Sequence, residues 1–200
     1  MIERAPHHRW LIGDDGGLSH LYVRLPVEEV VARLGGTMAG FAPGTFHGPD
    51  RHTGGSGLSI GVAPLRGWTY IQDGGQLAVT GAVLPLSEGT RVVAQYALGI
   101  KGLDYFYWAE DGEIRFCFIA QEGYSAPVPE ELRETMEAIR RLYPPSADPS
   151  TGPTFLLSER LTGFRLAEEE LMAAPFLWGT VPDRGYEFAP CPDDAFPWPV

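Results

Sequence analysis

The chain has 200 residues, of which 44% are hydrophobic, and its 26 acidic and 15 basic side chains give a formal net charge of −11. This composition is typical of one globular domain, and the acidic charge argues against nucleic-acid binding, which depends on Lys and Arg side chains that neutralise phosphates. No apolar run reaches the roughly 18 residues of a membrane helix, and the start, MIERAPHHRWLIGDD, lacks the apolar core of a secretory signal. We therefore expect a cytoplasmic protein without membrane or nucleic-acid partners.

The first part of the chain predicts two strands, one helix and a long loop. HRWLIG (8–13) and LSHLYVRL (18–25) alternate apolar and polar residues around an Asp-Asp-Gly-Gly turn, which predicts a hairpin. PVEEVVARLGG (26–36) predicts a helix, because proline and glutamates stand at its start, valines recur at helical spacing and glycine ends it. The segment 36–57 is rich in Gly, Pro, Thr and His, and we interpret it as a mobile or a functional loop.

The middle of the chain predicts an antiparallel sheet. LSIGVAPL (58–65) and GWTYIQD (67–73) alternate like strands, and the β-branched run RVVAQYAL (91–98) indicates a strand near the centre of the sheet. DYFYWAEDGEIRFCFIA (104–120) predicts a hairpin, because Asp-Gly suits both positive-φ positions of a type I′ turn.

Large apolar side chains occupy both faces of this predicted hairpin. With a two-residue loop, Trp108 pairs with Arg115 and Tyr107 pairs with Phe116. We therefore expect the hairpin to be covered on both sides. One face then carries Tyr105, Tyr107, Phe116 and Phe118, and the other carries Phe106, Trp108 and Cys117.

The last third of the chain predicts helices. PEELRETMEAIRRLY (129–143) has one apolar and one charged face. TFLLSERL (154–161) and LAEEELMAAP (166–175) predict two shorter helices joined by a corner at Gly163. Its apolar contacts are expected to be Leu156, Leu157, Leu161, Phe164 and Leu171.

An extended tail is predicted after the helices. Residues 178–200 combine five aromatic side chains with repeated prolines, a composition that excludes a regular helix. Either the tail packs on the domain or it docks on a partner, and we favour packing. The sequence thus predicts a single α+β domain at 1–177, an antiparallel sheet of about five to seven strands with packed helices and a helical C-terminal third, followed by this tail.

Several short motifs occur in an order that resembles a known family. They are RLGG, GWTYIQDGG, LSEGTRVVAQY, EDGEIRF and LLSERLTGFRL, which together span most of residues 8–175. In this order they resemble a family of proteins from high-GC bacteria that is known only as a domain of unknown function. The small acidic α+β design is also distantly similar to the SUKH-type immunity modules of bacterial conflict systems, which neutralise toxins by binding them.

Catalytic and metal-binding patterns are sparse. His47, Asp50 and His52 in FHGPDRH are the candidate catalytic residues, set in the poorly patterned loop. The histidines and the two cysteines lack metal-ligand spacing, so we expect neither a metal nor a cofactor. Cys117 falls in an apolar strand and Cys191 between prolines, which does not indicate a disulfide framework.

The leading hypothesis is a non-enzymatic protein-binding module, an immunity or regulatory protein with a basic protein or toxin as partner. It depends on the acidic charge, on the lack of a catalytic motif and on the supply of aromatic residues. The alternative is an enzyme or small-molecule-binding protein of specialised metabolism, with a pocket under the 36–57 loop. The predicted partner-binding residues are Asp183, Glu187, Asp193, Asp194 and Trp198.

Overall fold

The computed structural model describes residues 2–5, 8, 10–11, 17–48, 57–73, 77–98, 103–119, 123–124, 127–143 and 152–189. Nine strands and five α-helices lie in these ranges. The strands are β1 (Gly17–Val23), β2 (Phe41–Gly44), β3 (Leu58–Leu65), β4 (Trp68–Asp73), β5 (Arg91–Leu98), β6 (Leu103–Glu110), β7 (Glu113–Ile119), β8 (Gly123–Tyr124) and β9 (Phe176–Val181). The helices are α1 (Val27–Arg33), α2 (Val83–Leu86), α3 (Arg133–Leu142), α4 (Pro153–Thr162) and α5 (Glu168–Ala173).

The nine described strands form one antiparallel sheet in the order β2-β9-β3-β4-β1-β5-β6-β7-β8. The α+β class and the antiparallel sheet agree with the prediction, but the sheet is wider than the expected five to seven strands. The additional strands include β2 and β8 at the two edges, with four and two residues. Strands of this length are too short to show an alternating pattern in the sequence.

Side chains that alternate along the central strands enter two cores, one on each face of the sheet. On β1, Tyr22 enters the core that α3 and α4 cover, which we name the α3–α4 face. Leu21 and Val23 enter the core that α1 and α2 cover, the α1–α2 face. Because helices cover both faces, β4 is buried along its whole length. None of the helices in the described ranges is long and apolar enough to cross a membrane.

β6 and β7 form the predicted hairpin, with Asp111 and Gly112 in its turn at φ values of 56° and 80°. The predicted pairing holds only beside the turn. Between Trp108 and Ala109 the register shifts, so that Trp108 pairs with Phe116 instead of Arg115. This β-bulge exchanges the faces of the residues that follow it, because side chains alternate along a strand.

Because of this register shift, the prediction of which hairpin residues share a face was wrong. The prediction that both faces of the hairpin are buried is confirmed. Phe116 and Phe118 lie with Phe106 and Trp108 on the α3–α4 face. Tyr107 and Cys117 lie on the α1–α2 face. Aromatic side chains of both faces are buried, as expected.

The hairpin predicted before β1 does not form. The backbone N–H of Leu11 donates to the carbonyl oxygen of His8 at 2.9 Å, so the chain turns there. β1 itself lies between β4 and β5, and both of its edges are therefore occupied. The prediction was wrong because an alternating pattern identifies a strand without identifying its neighbours.

β9 crosses the predicted boundary between residues 177 and 178 and inserts into the sheet between β2 and β3. Trp178 on β9 lies directly over Gly61 on β3, where an added Cβ would lie 2.6 Å from the indole. The indole Nε1 donates to the carbonyl oxygen of Thr45 at 2.7 Å. Glycine thus allows the indole to approach the backbone of the neighbouring strand.

Cys117 is fully buried on β7 and takes part in a disulfide. The buried position was predicted, but the bond was not, because two distant cysteines carry no pairing pattern. The second cysteine of the sequence, Cys191, lies outside the described residues.

α4 ends at the predicted corner. Gly163 has a φ of 83°, in the left-handed region, and its N–H donates to the carbonyl oxygen of Glu159 at 2.9 Å. The segment is a packing corner, since the apolar contacts predicted for it are all buried. They are Leu156, Leu157, Leu161, Phe164 and Leu171.

We expect Gly163→Val to lower the free energy of unfolding by roughly 1 to 2 kcal/mol, because a β-branched residue is strained in the left-handed region. A Cβ at this position would meet no atom within 4 Å, so the cost comes from the backbone alone. Gly40→Val is the matched control, since its Cβ is equally free and its φ is not positive. Chemical denaturation of both variants measures the difference, and equal stabilities would contradict the assignment.

Candidate functional site

Five polar side chains form a hydrogen-bonded chain inside the α3–α4 face. Four of them come from the neighbouring strands β4, β1, β5 and β6, and the fifth comes from the first turn of α4. Each is at most 1% exposed. In order along the chain they are Tyr70, His20, Gln95, Thr154 and Asp104.

The hydrogen bonds of this polar chain run in one donor direction. His20 Nε2 lies 3.0 Å from Gln95 Oε1, which only accepts, so Nε2 carries the proton of the ring. His20 Nδ1 therefore accepts from the hydroxyl of Tyr70 at 3.1 Å. Gln95 Nε2 donates to Thr154 Oγ1, and the Thr154 hydroxyl donates to Asp104 Oδ1 at 2.8 Å.

The protonation states at the start of the polar chain agree with this direction. Burial lowers the pKa of His20 to about 3, although the hydrogen bond to Gln95 favours the charged ring. Burial also raises the pKa of Tyr70. Near pH 7 the imidazole is therefore neutral, and the phenol keeps the proton that it donates.

Asp104 is the last described member of the polar chain, and it is a buried carboxyl group. Burial raises its pKa to about 8, although hydrogen bonds from Thr154 and Gln95 favour the charged form. The carboxyl group is therefore mainly protonated at neutral pH. A buried acid of this kind stores a proton in the core instead of adding a charge to it.

Aromatic rings enclose the polar chain. The ring of His8 stacks on Phe155 at 3.8 Å, and Phe155 lies edge-on to His20 at 6.3 Å. A cavity of about 10 Å³ beside Tyr22 and Ser158 has room for one water molecule. α4 and these rings therefore cover the polar chain on this side of the sheet.

Only one residue of the predicted catalytic trio, His47, is among the described residues. His47 is exposed, with its ring 5.4 Å from that of Phe46. Asp50 and His52 lie outside the described residues, so the trio stays a prediction. In the part of the chain that the structure describes, no three His, Cys, Asp or Glu side chains are grouped to hold a metal ion.

The predicted partner-binding residues begin in the C-terminal arm, residues 182–189. Asp183 and Glu187 are both exposed there. The other three predicted partner-binding residues, Asp193, Asp194 and Trp198, lie outside the described residues.

The end of the C-terminal arm is held by backbone hydrogen bonds on the α1–α2 face. The carbonyl oxygen of Glu187 accepts from Gly81 at 2.7 Å, and the N–H of Ala189 donates to Val79 at 2.7 Å. Phe188 stands between these two bonds, and its side chain is 66% exposed. It is the most exposed large hydrophobic side chain of the described ranges.

A family profile matches most of the chain. The profile, described as a family of unknown function (DUF6461), covers residues 25–186. The chain belongs to this family. No curated protein and no solved structure matches it. The resemblance to a domain of unknown function is thus confirmed, and the similarity to SUKH-type modules stays a prediction.

The DUF6461 profile covers four residues of the polar chain, Tyr70, Gln95, Asp104 and Thr154, whereas His20 precedes it and Phe188 follows it. Sequence reasoning missed the polar chain altogether. A pattern that pointed to it was available, because HLYV, VVAQYAL and LDYFYW each place one polar residue inside an apolar strand. A polar residue at a buried strand position needs a hydrogen-bond partner.

Proposed function

We propose that the chain is a non-enzymatic protein-binding module whose partner presents a basic surface. The observation that carries this proposal is the exposed Phe188, which stands on a backbone fixed by Val79 and Gly81. Aromatic side chains that enter a pocket of the partner are typical centres of binding energy in protein interfaces. A fixed backbone lowers the entropy cost of using this one as an anchor.

The charge around the anchor determines the kind of partner. Asp183 and Glu187 are exposed in the same arm, and the whole chain has a net charge of −11. Acidic groups beside an apolar anchor accelerate the encounter with a basic protein and repel acidic ones. Asp193, Asp194 and Trp198 extend this surface in the proposal.

An immunity function is the specific form of this proposal that follows if the predicted similarity to SUKH-type modules holds. In that form the partner is a basic bacterial toxin, and the module blocks the toxin by covering its surface. A regulatory protein with a basic partner uses the same anchor and the same charges.

Cytoplasmic localisation stays a prediction and has one observation against it. Cys117 takes part in a disulfide, and cytosolic thiols are normally kept reduced. Mass spectrometry of the protein isolated from its own cells, after alkylation without reductant, shows whether Cys117 is a free thiol or part of a disulfide. A free Cys117 thiol supports the cytoplasm.

Binding to the purified products of the two adjacent genes tests the proposal, with biolayer interferometry at low and at physiological salt. We expect Phe188→Ala to weaken binding by about 30-fold, since a central aromatic anchor contributes about 2 kcal/mol or more. The double variant Asp183→Lys/Glu187→Lys should mainly slow association, and salt should reduce this effect.

Glu137→Lys is the matched control for the charge reversals. Glu137 is exposed on α3, on the opposite face of the sheet from the C-terminal arm, and carries the same charge. Its variant should bind like the wild type. Unchanged binding by Phe188→Ala would remove the anchor from the interface, and the lack of any bound neighbour product would contradict the immunity form.

A further inference from the structure

A cleft of about 280 Å³ opens between the N-terminal residues, α3 and α4. It lies on the α3–α4 face, whereas the C-terminal arm contacts the α1–α2 face. Ile2 and Leu156 supply apolar wall, and charged side chains from three segments surround them. The volume suits a small molecule, because sites for drug-sized ligands start near 300 Å³.

Two arginine side chains line this cleft in fixed orientations. Nε and Nη2 of Arg165 donate to the two carboxylate oxygens of Glu159 at 2.8 and 3.2 Å. Nε of Arg160 donates to the carbonyl oxygen of Glu131 at 2.8 Å. Each guanidinium group keeps further N–H groups that no other described residue uses. Oriented guanidinium donors match the geometry of a carboxylate.

Two carboxylate side chains line the same cleft. Neither forms a salt bridge within the described residues, although Glu3 is near enough to Arg165 to interact with it electrostatically. Glu134 comes from the first turn of α3, and Glu3 comes from the N-terminal residues. Both are exposed and able to accept hydrogen bonds. Carboxylate oxygens are natural acceptors for an ammonium group.

We propose that the cleft binds a small zwitterion, a free amino acid with its ammonium and carboxylate groups on a short carbon frame. Arg160 and Arg165 stand against Glu3, Glu134 and Glu159, so a simple anion meets an excess of negative charge. A simple cation leaves the arginine donors unused. A zwitterion satisfies both the arginine donors and the glutamate acceptors, and its carbon frame contacts Ile2 and Leu156.

Isothermal titration calorimetry of the full chain with L-alanine and L-leucine tests this assignment. Each amino acid is compared with the two analogues that lack one charged group. These are propionate and ethylamine for L-alanine, and 4-methylpentanoate and 3-methylbutylamine for L-leucine. We expect saturable binding of at least one amino acid, at least about tenfold tighter than of its analogues, because each analogue loses a charge-assisted hydrogen bond.

Arg160→Gln and Glu134→Gln should each weaken the binding by about tenfold or more. Glu137→Gln is the control on the same helix, one turn beyond the cleft, and should leave the affinity unchanged. No saturable heat up to about 10 mM with either amino acid would overturn the assignment. Equal binding by the wild type and both cleft variants would overturn it as well. The C-terminal arm contributes no residue to the cleft, so either outcome leaves the protein-binding proposal unaffected.

Discussion

Replacing Gln95 by Leu is expected to lower the free energy of unfolding by roughly 2 to 5 kcal/mol. Leu has a similar volume, so the cost comes from polar groups and not from a cavity. The Nε2 proton of His20 loses its acceptor, and Thr154 Oγ1 loses its donor. Both groups are fully buried, where each unmade hydrogen bond costs about 1 to 3 kcal/mol. Urea denaturation followed by circular dichroism measures the loss.

Gln72→Leu is the matched control for this variant. Gln72 lies on β4 and is only 8% exposed, so the same change is made at a comparably buried position. Its Oε1, however, has no hydrogen-bond partner among the described residues. Removing such a group is nearly neutral or stabilising. If both variants lost stability equally, the polar chain would contribute nothing specific.

The sequence predicted those elements whose patterns are local. The valine spacing and glycine stop of α1, the Asp-Gly turn of the β6–β7 hairpin and the Gly163 corner each need fewer than about fifteen neighbouring residues. The predictions failed where the structure depends on distant residues. The neighbours of β1 lie far along the chain. The β-bulge at Arg115, opposite Trp108 and Ala109, follows no recognisable sequence pattern.

The candidate sites were harder to predict than the fold. His20, Gln95 and Asp104 lie on three strands, and only the sheet order places their side chains on one face below α4. Asp183 and Glu187 were proposed because they are acidic, whereas Phe188 was first assigned to packing. Its exposure became visible only when the pairing with residues 79–81 was known.

The buried polar chain also predicts how stability depends on pH. Asp104 has a pKa of about 8 in the folded protein and an ordinary value of 3.8. Between these values only the folded state binds this proton, so raising the pH lowers stability. His20 has a pKa of about 3 when folded and an ordinary value of 6.5. There only the unfolded state binds the proton, so lowering the pH lowers stability.

The two effects oppose each other between about pH 4 and 6.5, where each state holds one of the two protons and the contributions cancel. Above pH 6.5 only Asp104 still acts. Stability should then fall by about 1.4 kcal/mol per pH unit until the folded carboxyl group ionises, which is roughly 2 kcal/mol by pH 8. Below pH 4 only His20 acts, and stability should fall as the pH approaches 3. In a plot of the free energy of unfolding against pH, the polar chain thus contributes a plateau between about pH 4 and 6.5, with a falling acid limb below it and a falling alkaline limb above it.

Asp104→Asn should remove the alkaline limb, and the acid limb of His20, which Asp104 no longer opposes, should extend up to about pH 6.5. The amide has nearly the shape of the protonated acid, its oxygen still accepts from Thr154, and it does not titrate. Wild type and variant should therefore have similar stability below about pH 4, where Asp104 is protonated in both states. Above that pH the variant should gain about 1.4 kcal/mol per pH unit over the wild type, which is roughly 5 kcal/mol by pH 8. Urea denaturation across this range measures the difference between the two curves, in which all other titrating groups cancel. An alkaline limb of equal size in the wild type and in Asp104→Asn would show that Asp104 is already charged in the folded protein, and that the polar chain does not end in a stored proton.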